Sequence, residues 1–131
     1  MSTKTTTILV VDDDPRNRKL LETLLRADGY AVLSAASGSA AIDAVLAHAP
    51  DLVLLDVMMP DMDGFDVARR LKSQTATQAI PLVIVTALDD VGSAKRLAAV
   101  GVEAMLRKPI DRWELKALLK KLLNPVVDDQ P

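Results

Sequence analysis

The sequence contains no cysteine, so disulfide bonds and thiolate metal sites are excluded, as is usual in a reducing compartment. Aromatic residues are scarce, with one Trp, one Tyr and one Phe, so the core must be aliphatic. No apolar run approaches the roughly 20 residues of a membrane-spanning helix, and residues 1–7 lack a signal-peptide core. The formal net charge of −2 provides no basic surface for nucleic acid. We therefore expect a soluble, cytoplasmic protein that contacts neither a membrane nor nucleic acid directly.

Short apolar segments alternate with helical patterns along the chain. Strands are predicted at residues 8–11, 31–35, 52–55, 81–85 and 104–106. A helix is predicted after each strand, with starts marked by Asp14-Pro15, Ser37, Gly64, Asp89 and Asp111. Apolar strands that alternate with helices predict a parallel sheet covered on both faces. The length suits one domain at residues 1–124, with residues 125–131 as a tail or the start of a linker.

The apolar pattern of the predicted helices marks the faces that pack on the sheet. It includes Leu20 in the first helix, Leu46 in the second, and Leu115 and Leu119 in the last. Gly29 is the predicted end of the first helix, because glycine readily adopts the left-handed conformation that ends many helices.

The segment at residues 52–60 is the most informative part of the sequence. Four apolar residues predict a buried strand, and Asp56 follows at its carboxyl end. Open α/β sheets bind their ligands outside the carboxyl ends of the strands. Asp56 is therefore the candidate reactive residue, although a carboxylate at such a place is also common in a simple turn.

Polar residues stand at the ends of three other strands as well. Asp12 and Asp13 follow the first, Thr86 ends the fourth, and Lys108 lies just beyond the fifth. Because right-handed crossovers bring these ends to one edge of the sheet, we expect the side chains to converge with Asp56. Each also has an ordinary explanation: acids at a helix N-terminus, a strand-end cap, and a solvated lysine. Their combination fits one site better than four independent features.

This set of side chains suits phosphoryl transfer to a carboxylate. Mg²⁺ prefers oxygen ligands, including one or two carboxylates, which Asp13 and Asp56 could supply. A carboxylate such as Asp56 can attack phosphorus and form an aspartyl phosphate. The charge on the transferred group must then be neutralised, for which Lys108 offers an ammonium and Thr86 a hydroxyl.

In order and spacing, these residues resemble the receiver domain of bacterial two-component response regulators. The shared motifs are Asp12-Asp13, the segment from Asp56 to Gly64, Thr86-Ala87 and Lys108-Pro109. The resemblance covers about residues 7–123, nearly the whole chain. It implies a flavodoxin-like (βα)5 fold, doubly wound around a five-stranded parallel sheet with the strand order 2-1-3-4-5.

The resemblance also implies roles in metal binding and phosphorylation. Asp56 is the expected phosphoacceptor, Asp13 a direct Mg²⁺ ligand, and Asp12 a ligand through water. Met58 stands where the family binds the metal by a backbone carbonyl, so an apolar side chain is compatible with that place.

Three further residues are expected to contact the phosphoryl group or make room for it. By the same resemblance, Thr86 would hydrogen-bond to the phosphoryl group and shift on phosphorylation, and Ala87 is small enough to let the group enter. Lys108 would pair with its charge, and the Lys108–Pro109 peptide bond is expected to be cis.

The family's output surface is expected on the fourth helix, the fifth strand and the last helix. Many members carry an aromatic residue three positions before the lysine, but this chain has Met105, which has no ring to swing. Trp113 and Leu118 fall off the core-facing stripe of the last helix. Either Trp113 folds down as a lid, or it forms an apolar contact patch with Met105 and Leu118. A dimer held by ion pairs is not supported, because Ala104 and Leu118 occupy the places of its charged residues.

The resemblance implies protein partners rather than a substrate. The expected donor is a sensor histidine kinase or a phosphotransfer protein, and the receiver would control a downstream protein, an output domain or a homodimer. We expect no enzyme activity beyond assisting its own phosphorylation and dephosphorylation.

Three alternatives are weaker. A Mg²⁺-dependent aspartyl phosphatase would carry a second acid where this chain has Met58. A nucleotide or flavin carrier would need a Gly-rich phosphate loop after the first strand, where three consecutive aspartates would repel phosphate. A receiver-like module that is never phosphorylated would not need the complete set of site residues.

Overall fold

The computed structural model describes residues 5–57, 59, 62, 64–87, 95 and 98–123. The described strands are β1 (Thr7–Val11), β2 (Ala31–Ala35), β3 (Leu52–Asp56), β4 (Leu82–Thr86) and β5 (Ala104–Arg107). The helices are α1 (Pro15–Ala27), α2 (Gly38–His48), α3 (Gly64–Lys72) and α5 (Arg112–Leu123). A further helix, α4, is described at residues 95 and 98–100.

The five strands form one parallel sheet in the order β2-β1-β3-β4-β5. This confirms the predicted fold class and strand order. β1 and β3 lie in the middle of the sheet with β4, and their residues are almost completely buried. The pairing register aligns Asp56 of β3 with Val85 of β4, and Thr86 of β4 with Arg107 of β5. The carboxyl ends of these strands are therefore held side by side.

Alternate residues of each central strand face opposite layers of the core, as the two-residue period of a strand requires. In β3, Val53 and Leu55 face the layer built by α2 and α3, which also contains the only Phe, Phe65. Leu52 and Leu54 face the layer built by α1 and α5. Both faces of the sheet are thus covered by helices, which explains why the strands are apolar throughout.

The predicted helix starts of α1, α2 and α5 are confirmed by their capping bonds. Asp14 Oδ1 accepts the N–H of Arg16 at 2.9 Å, and Pro15 occupies the first helical turn. Ser37 Oγ accepts the N–H of Ala40 at 3.1 Å. Asp111 Oδ1 accepts two backbone N–H groups of α5, at 2.8 and 3.2 Å. Each cap satisfies donors that have no partner inside the helix.

The predicted end of α1 at Gly29 is confirmed as well. Gly29 has a φ of +92°, and its N–H donates to the carbonyl of Arg26 at 3.0 Å. The N–H of Tyr30 reaches back to the carbonyl of Leu25 at 3.1 Å. This pair of bonds is the Schellman arrangement, for which glycine is the favoured residue.

Two predicted details differ in the structure. β4 begins at Leu82 rather than at Pro81, because proline has no N–H to donate, although its carbonyl accepts the N–H of Val53 at 3.0 Å. Leu20 and Leu46 are exposed, although both belong to the apolar helical pattern. Each lies beside a buried position, Leu21 or Val45, and adjacent residues of a helix point about 100° apart.

The predicted tail at residues 125–131 lies outside the described residues. None of the described helices has the length and hydrophobicity that a membrane crossing requires.

The single tyrosine provides a pH probe of the packing after α1. Burial, and secondarily the negative charge of Asp28, raise the pKa of the Tyr30 phenol above its ordinary value of 10.0. A raised pKa means that the folded state favours the neutral phenol, so its contribution to stability is complete below the unfolded-state pKa. That contribution is lost as the pH rises through the folded-state pKa. We predict an absorbance titration of the folded protein with a midpoint above 10.0.

The Tyr30→Phe variant is the control for this titration, since other groups also ionise at high pH. It should lose less free energy of unfolding than the parent as the pH rises above 10.0. A phenol midpoint at or below the ordinary value would contradict the prediction.

Candidate functional site

The site lies at the carboxyl edge of the sheet, where four strands end. Asp12 directly follows β1, Asp56 and Thr86 are the last residues of β3 and β4, and Lys108 directly follows β5. Because all five strands are parallel, these ends share one edge. The structure therefore brings together the side chains that the sequence predicts to converge.

Three carboxylates form the centre of the site. One oxygen from each of Asp12, Asp13 and Asp56 lies within 4.8 Å of the others. Asp12 and Asp56 are only 2% and 4% exposed, whereas Asp13 faces solvent. Burying two like charges so close together is unfavourable unless a cation or hydrogen bonds offset it.

Local hydrogen bonds hold Asp12 in place. Its Oδ1 accepts the N–H of Asp14 at 2.9 Å, and its carbonyl accepts Arg18 Nη1 at 2.8 Å. The N–H of Asp12 donates to the carbonyl of Ala35 at 3.1 Å, which ties the loop to the end of β2. Asp12 is thus positioned both by its own loop and by a neighbouring strand.

Lys108 supplies the positive charge that bridges two of the acids. Its Nζ lies 3.5 Å from Asp56 Oδ2 and 3.6 Å from Asp12 Oδ2. One ammonium beside three carboxylates leaves the cluster with an excess of negative charge. An all-oxygen set with this excess suits a hard divalent cation such as Mg²⁺, which the carboxylates of Asp12, Asp13 and Asp56 would hold.

The backbone connects Lys108 to Thr86. The N–H of Lys108 donates to the carbonyl of Thr86 at 2.9 Å, and the Lys108–Pro109 peptide bond is cis, as expected. Thr86 is 1% exposed, and Ala87 after it is exposed. Thr86 therefore stands between the buried end of β4 and the open edge of the sheet, on the strand next to Asp56.

Gly64 allows α3 to start directly behind the reactive residue. A Cβ on Gly64 would lie 2.7 Å from the carbonyl oxygen of Asp56 and 2.8 Å from Cα of Val57. The N–H of Gly64 donates to the carbonyl of Val57 at 2.9 Å. The sequence marks this glycine as part of a turn, as the start of a helix and as part of the shared motif, but the close backbone approach is visible only in the structure.

Gly38 is a supporting residue that the sequence analysis missed. It is the first residue of α2, and a Cβ there would lie 2.7 Å from Cβ of Met62 and 3.0 Å from the carbonyl oxygen of Met62. Met62 belongs to the loop between β3 and α3, which follows Asp56. The available sequence signal, a glycine after the cap Ser37, does not reveal this contact.

The other predicted site residues lie apart from the carboxylate cluster or outside the description. Met58 falls outside the described residues. Trp113 is 67% exposed, so it does not fold down as a lid, and Met105 is 43% exposed. Leu118 is half-buried and packs against the core layer of α1 and α5. Leu118 lies five positions after Trp113, a rotation of roughly 140° about the helix axis, which places the two residues on different sides of α5.

Comparison with known proteins identifies the family to which the chain belongs. The family model described as the response regulator receiver domain matches residues 8–120, most of the chain. The chain belongs to the response regulator receiver family. The sequence resemblance is therefore confirmed at the level of the family.

Two curated relatives show how receivers of this kind occur in longer and shorter proteins. This receiver is 45% identical over 115 residues to the response regulator PleD of Caulobacter vibrioides, covering 88% of this chain and 25% of the relative. It is 36% identical over 106 residues to the polar-differentiation response regulator DivK of Brucella ovis, covering 81% and 86% respectively. The chain thus spans a quarter of the length of PleD and most of the length of DivK.

Solved receivers have the same fold. The chemotaxis protein CheY4 of Vibrio cholerae superimposes with a TM-score of 0.87 at 28% identity, covering 92% of this chain and 100% of the other. The receiver domain of the sensor histidine kinase PA1611 from Pseudomonas aeruginosa gives 0.84 at 29% identity, covering 92% and 98%. That structure has a magnesium ion coordinated in its active-site cleft.

The contact of Gly38 with Met62 predicts an unusual response to alanine. In a helix interior, alanine is more favourable than glycine by about 1 kcal/mol. At Gly38 its Cβ would instead collide with Met62, so we predict that Gly38→Ala lowers the free energy of unfolding by about 1–3 kcal/mol. Urea unfolding measures the change.

The matched control is Ala40→Gly, which alters helix propensity in the same turn at an exposed position. It should cost about 1 kcal/mol without any steric contribution. If Gly38→Ala raises the free energy of unfolding, Gly38 does not lie as close to Met62 as the structure indicates.

Proposed function

We propose that this receiver is a phosphorylation-dependent switch in which Asp56 accepts a phosphoryl group from a histidine kinase or a phosphotransfer protein. The observation that carries the proposal is the arrangement at β3. A nearly buried carboxylate lies 3.5 Å from the ammonium of Lys108 and within 4.8 Å of two further acids. A surface carboxylate in a simple turn would need neither neighbour.

The chemistry is a transfer between two nucleophiles. An oxygen of Asp56 bonds to phosphorus as the bond between phosphorus and the donor's imidazole nitrogen breaks, and the imidazole keeps that electron pair. Mg²⁺ held by the acidic cluster would neutralise charge on the phosphoryl oxygens. Lys108 is released from part of its pairing with Asp56 and binds the phosphoryl group, because phosphorylation moves the negative charge outward.

The proposed switch uses residues at the end of β4. Thr86 donates its hydroxyl to the phosphoryl group, and Ala87 leaves space for that group. The change then reaches the surface of α4, β5 and α5, where a downstream protein, an output domain or a second copy binds. Met105 has no aromatic ring. The shift of Thr86 would therefore be transmitted by movement of the β5 backbone and of α5, and not by rotation of an aromatic side chain.

Two features favour the switch over its alternatives. A receiver-like module without phosphorylation would gain nothing from burying Asp12 and Asp56 beside Lys108, since this arrangement costs folding free energy. An aspartyl phosphatase needs a second acid for the leaving group, and Met58 stands at that place. The cytoplasm, where histidine kinases present their phosphohistidine, is the proposed location.

The first test is direct labelling. Acetyl phosphate with Mg²⁺ should add one phosphoryl group to the parent protein, which intact mass spectrometry detects. Asp56→Asn should abolish the added mass, because an amide oxygen is a much weaker nucleophile. Asp43→Asn, which changes an exposed carboxylate on α2, should label like the parent. Equal labelling of the Asp56→Asn protein would refute the assignment.

The second test concerns the metal. Asp13→Ala removes an anionic ligand, so the affinity for Mg²⁺ should fall at least about tenfold, equivalent to about 1.4 kcal/mol. Without Mg²⁺ the same variant should be more stable to urea, because it relieves repulsion among the three carboxylates. Calorimetric titration and urea unfolding measure the two effects.

Asp43→Ala is the control for both measurements, since it removes one exposed carboxylate from α2. It should leave the affinity for Mg²⁺ unchanged within about twofold. Unchanged Mg²⁺ affinity in the Asp13→Ala protein would remove Asp13 from the metal site.

A further inference from the structure

The last helix carries a charge opposite to that of the whole chain. α5 contains four basic residues, Arg112, Lys116, Lys120 and Lys121, and one acid, Glu114. The complete sequence has a formal net charge of −2. The surface of α5 is therefore basic on an acidic protein, which is a feature that favours an acidic partner.

Three of these basic residues share a face with the only tryptophan. Leu115 and Leu119 turn into the core, and Trp113 lies almost opposite to them. At about 100° per residue, Arg112, Lys116 and Lys120 fall within an arc of roughly 100° that ends at Trp113, whereas Lys121 and Glu114 lie roughly 80° and 100° away on the other side of Trp113. We call Arg112, Trp113, Lys116 and Lys120 the Trp113 face.

The cations of this face lie against the indole ring. The guanidinium carbon of Arg112 is 5.4 Å, and Nζ of Lys116 is 5.7 Å, from the ring centroid of Trp113. Both distances allow cation–π attraction, which restrains an otherwise exposed ring. The ring is 67% exposed, so one large apolar surface is presented between positive charges.

The basic residues of the face have no acidic partner within the described part of the chain. The salt bridges found there use Arg26, Arg69, Lys72 and Lys108 as cations, and none uses a basic residue of α5. Among the described residues, therefore, a partner that bound the Trp113 face would break no ion pair of that face.

We infer that the Trp113 face docks an acidic, amphipathic helical segment of a partner protein. An apolar side chain of the segment covers the indole ring, and its carboxylates pair with Arg112, Lys116 and Lys120. This inference rests on the proposed function, because it names the kind of partner that the output surface takes. Tryptophan and arginine are both enriched among the few residues that supply most of the binding energy at protein interfaces.

Nucleic acid fits the same charges less well. Single-stranded binders stack successive bases on several aromatic residues, and this chain has one Trp on the face and three aromatic residues in all. The net negative charge and the acidic cluster also repel a long polyanion. A short acidic peptide avoids that repulsion because it needs to contact only α5.

The face is joined to the phosphorylation site by a short piece of chain. Residues 109–111 connect Lys108 to α5, and Asp111 caps the helix through the N–H groups of Trp113 and Glu114. Leu106, on β5 just before the site, packs in the same core layer as Leu115. Phosphorylation of Asp56 is therefore expected to change the affinity of the face for its partner.

The test uses Trp113 as the only tryptophan reporter and a synthetic peptide without aromatic residues. The peptide is about 15 residues long, with leucines at i, i+3, i+4 and i+7 and glutamates on both flanks of that stripe. The matched peptide has glutamine for every glutamate. With the unphosphorylated parent, the glutamate peptide should shift the fluorescence of Trp113 saturably. The glutamine peptide should bind at least about tenfold more weakly, and salt should weaken the glutamate peptide.

Charge reversal on the helix locates the binding site. Lys116→Glu and Lys120→Glu should each weaken binding of the glutamate peptide at least about tenfold. The matched control is Lys121→Glu, which makes the same change on the flank of Trp113 opposite to Lys116 and Lys120 and should alter binding by less than about twofold. Equal binding of both peptides, or equal loss in the control variant, would overturn the inference.

Other molecules that could bind the Trp113 face give different experimental results. A single-stranded oligonucleotide that binds Trp113 more tightly than the glutamate peptide would assign the face to nucleic acid and overturn the inference. Self-association through the same face would overturn it too, and sedimentation that depends on Trp113 would reveal it. Lys116→Glu should still accept a phosphoryl group from acetyl phosphate. If Asp56 does not label while peptide binding persists, the proposed phosphorylation fails and the docking face stands.

Discussion

The structure depends on keeping like charges together at the carboxyl edge of a parallel sheet. Asp12 and Asp56 are almost fully buried, and Asp13 completes a cluster whose oxygens lie within 4.8 Å. Burial and mutual repulsion both oppose this arrangement. Lys108 offsets part of the cost through its contacts of 3.5 and 3.6 Å with Asp56 and Asp12. The remaining negative charge suits a divalent cation. The same excess of negative charge therefore opposes folding and favours binding of the cation.

The rest of the fold makes that edge rigid. Both faces of the sheet are covered, and the central strands have almost no exposed residues, so the strands cannot slip without moving apolar side chains into water. Gly64 lets α3 begin against the backbone of Asp56, and Gly38 lets α2 press on Met62. The backbone of Asp56 and Val57 and the residue Met62 are therefore each packed against the first residue of a helix.

A continuous path of bonded and packed groups leads from the site to the surface of α5. The carbonyl of Thr86 holds the N–H of Lys108, and residues 109–111 lead to the cap Asp111. Leu106 packs in the same layer as Leu115 and Leu119. Receivers are signalling domains, and in this one the path ends at a helix that is basic, carries the only tryptophan and belongs to an acidic chain. The charge of that helix, rather than an aromatic switch residue at Met105, distinguishes its exposed surface.

The sequence by itself determined the α/β class, the parallel sheet, the capped starts of α1, α2 and α5, and the four strand ends at which Asp12, Asp56, Thr86 and Lys108 meet. Local periodicity and capping, which depend on short stretches of chain, predict the helices and strands. The position of the site follows from the rule that open parallel sheets bind ligands at the carboxyl ends of their strands. The strand order itself came from the family resemblance. Only the tertiary structure decided that Leu20 and Leu46 are exposed, that Gly38 touches Met62, and that Leu118 packs with the core while Trp113 faces solvent. Those outcomes depend on which neighbour covers each side of a helix, and contacts between residues far apart in the chain leave no periodic signal in either segment.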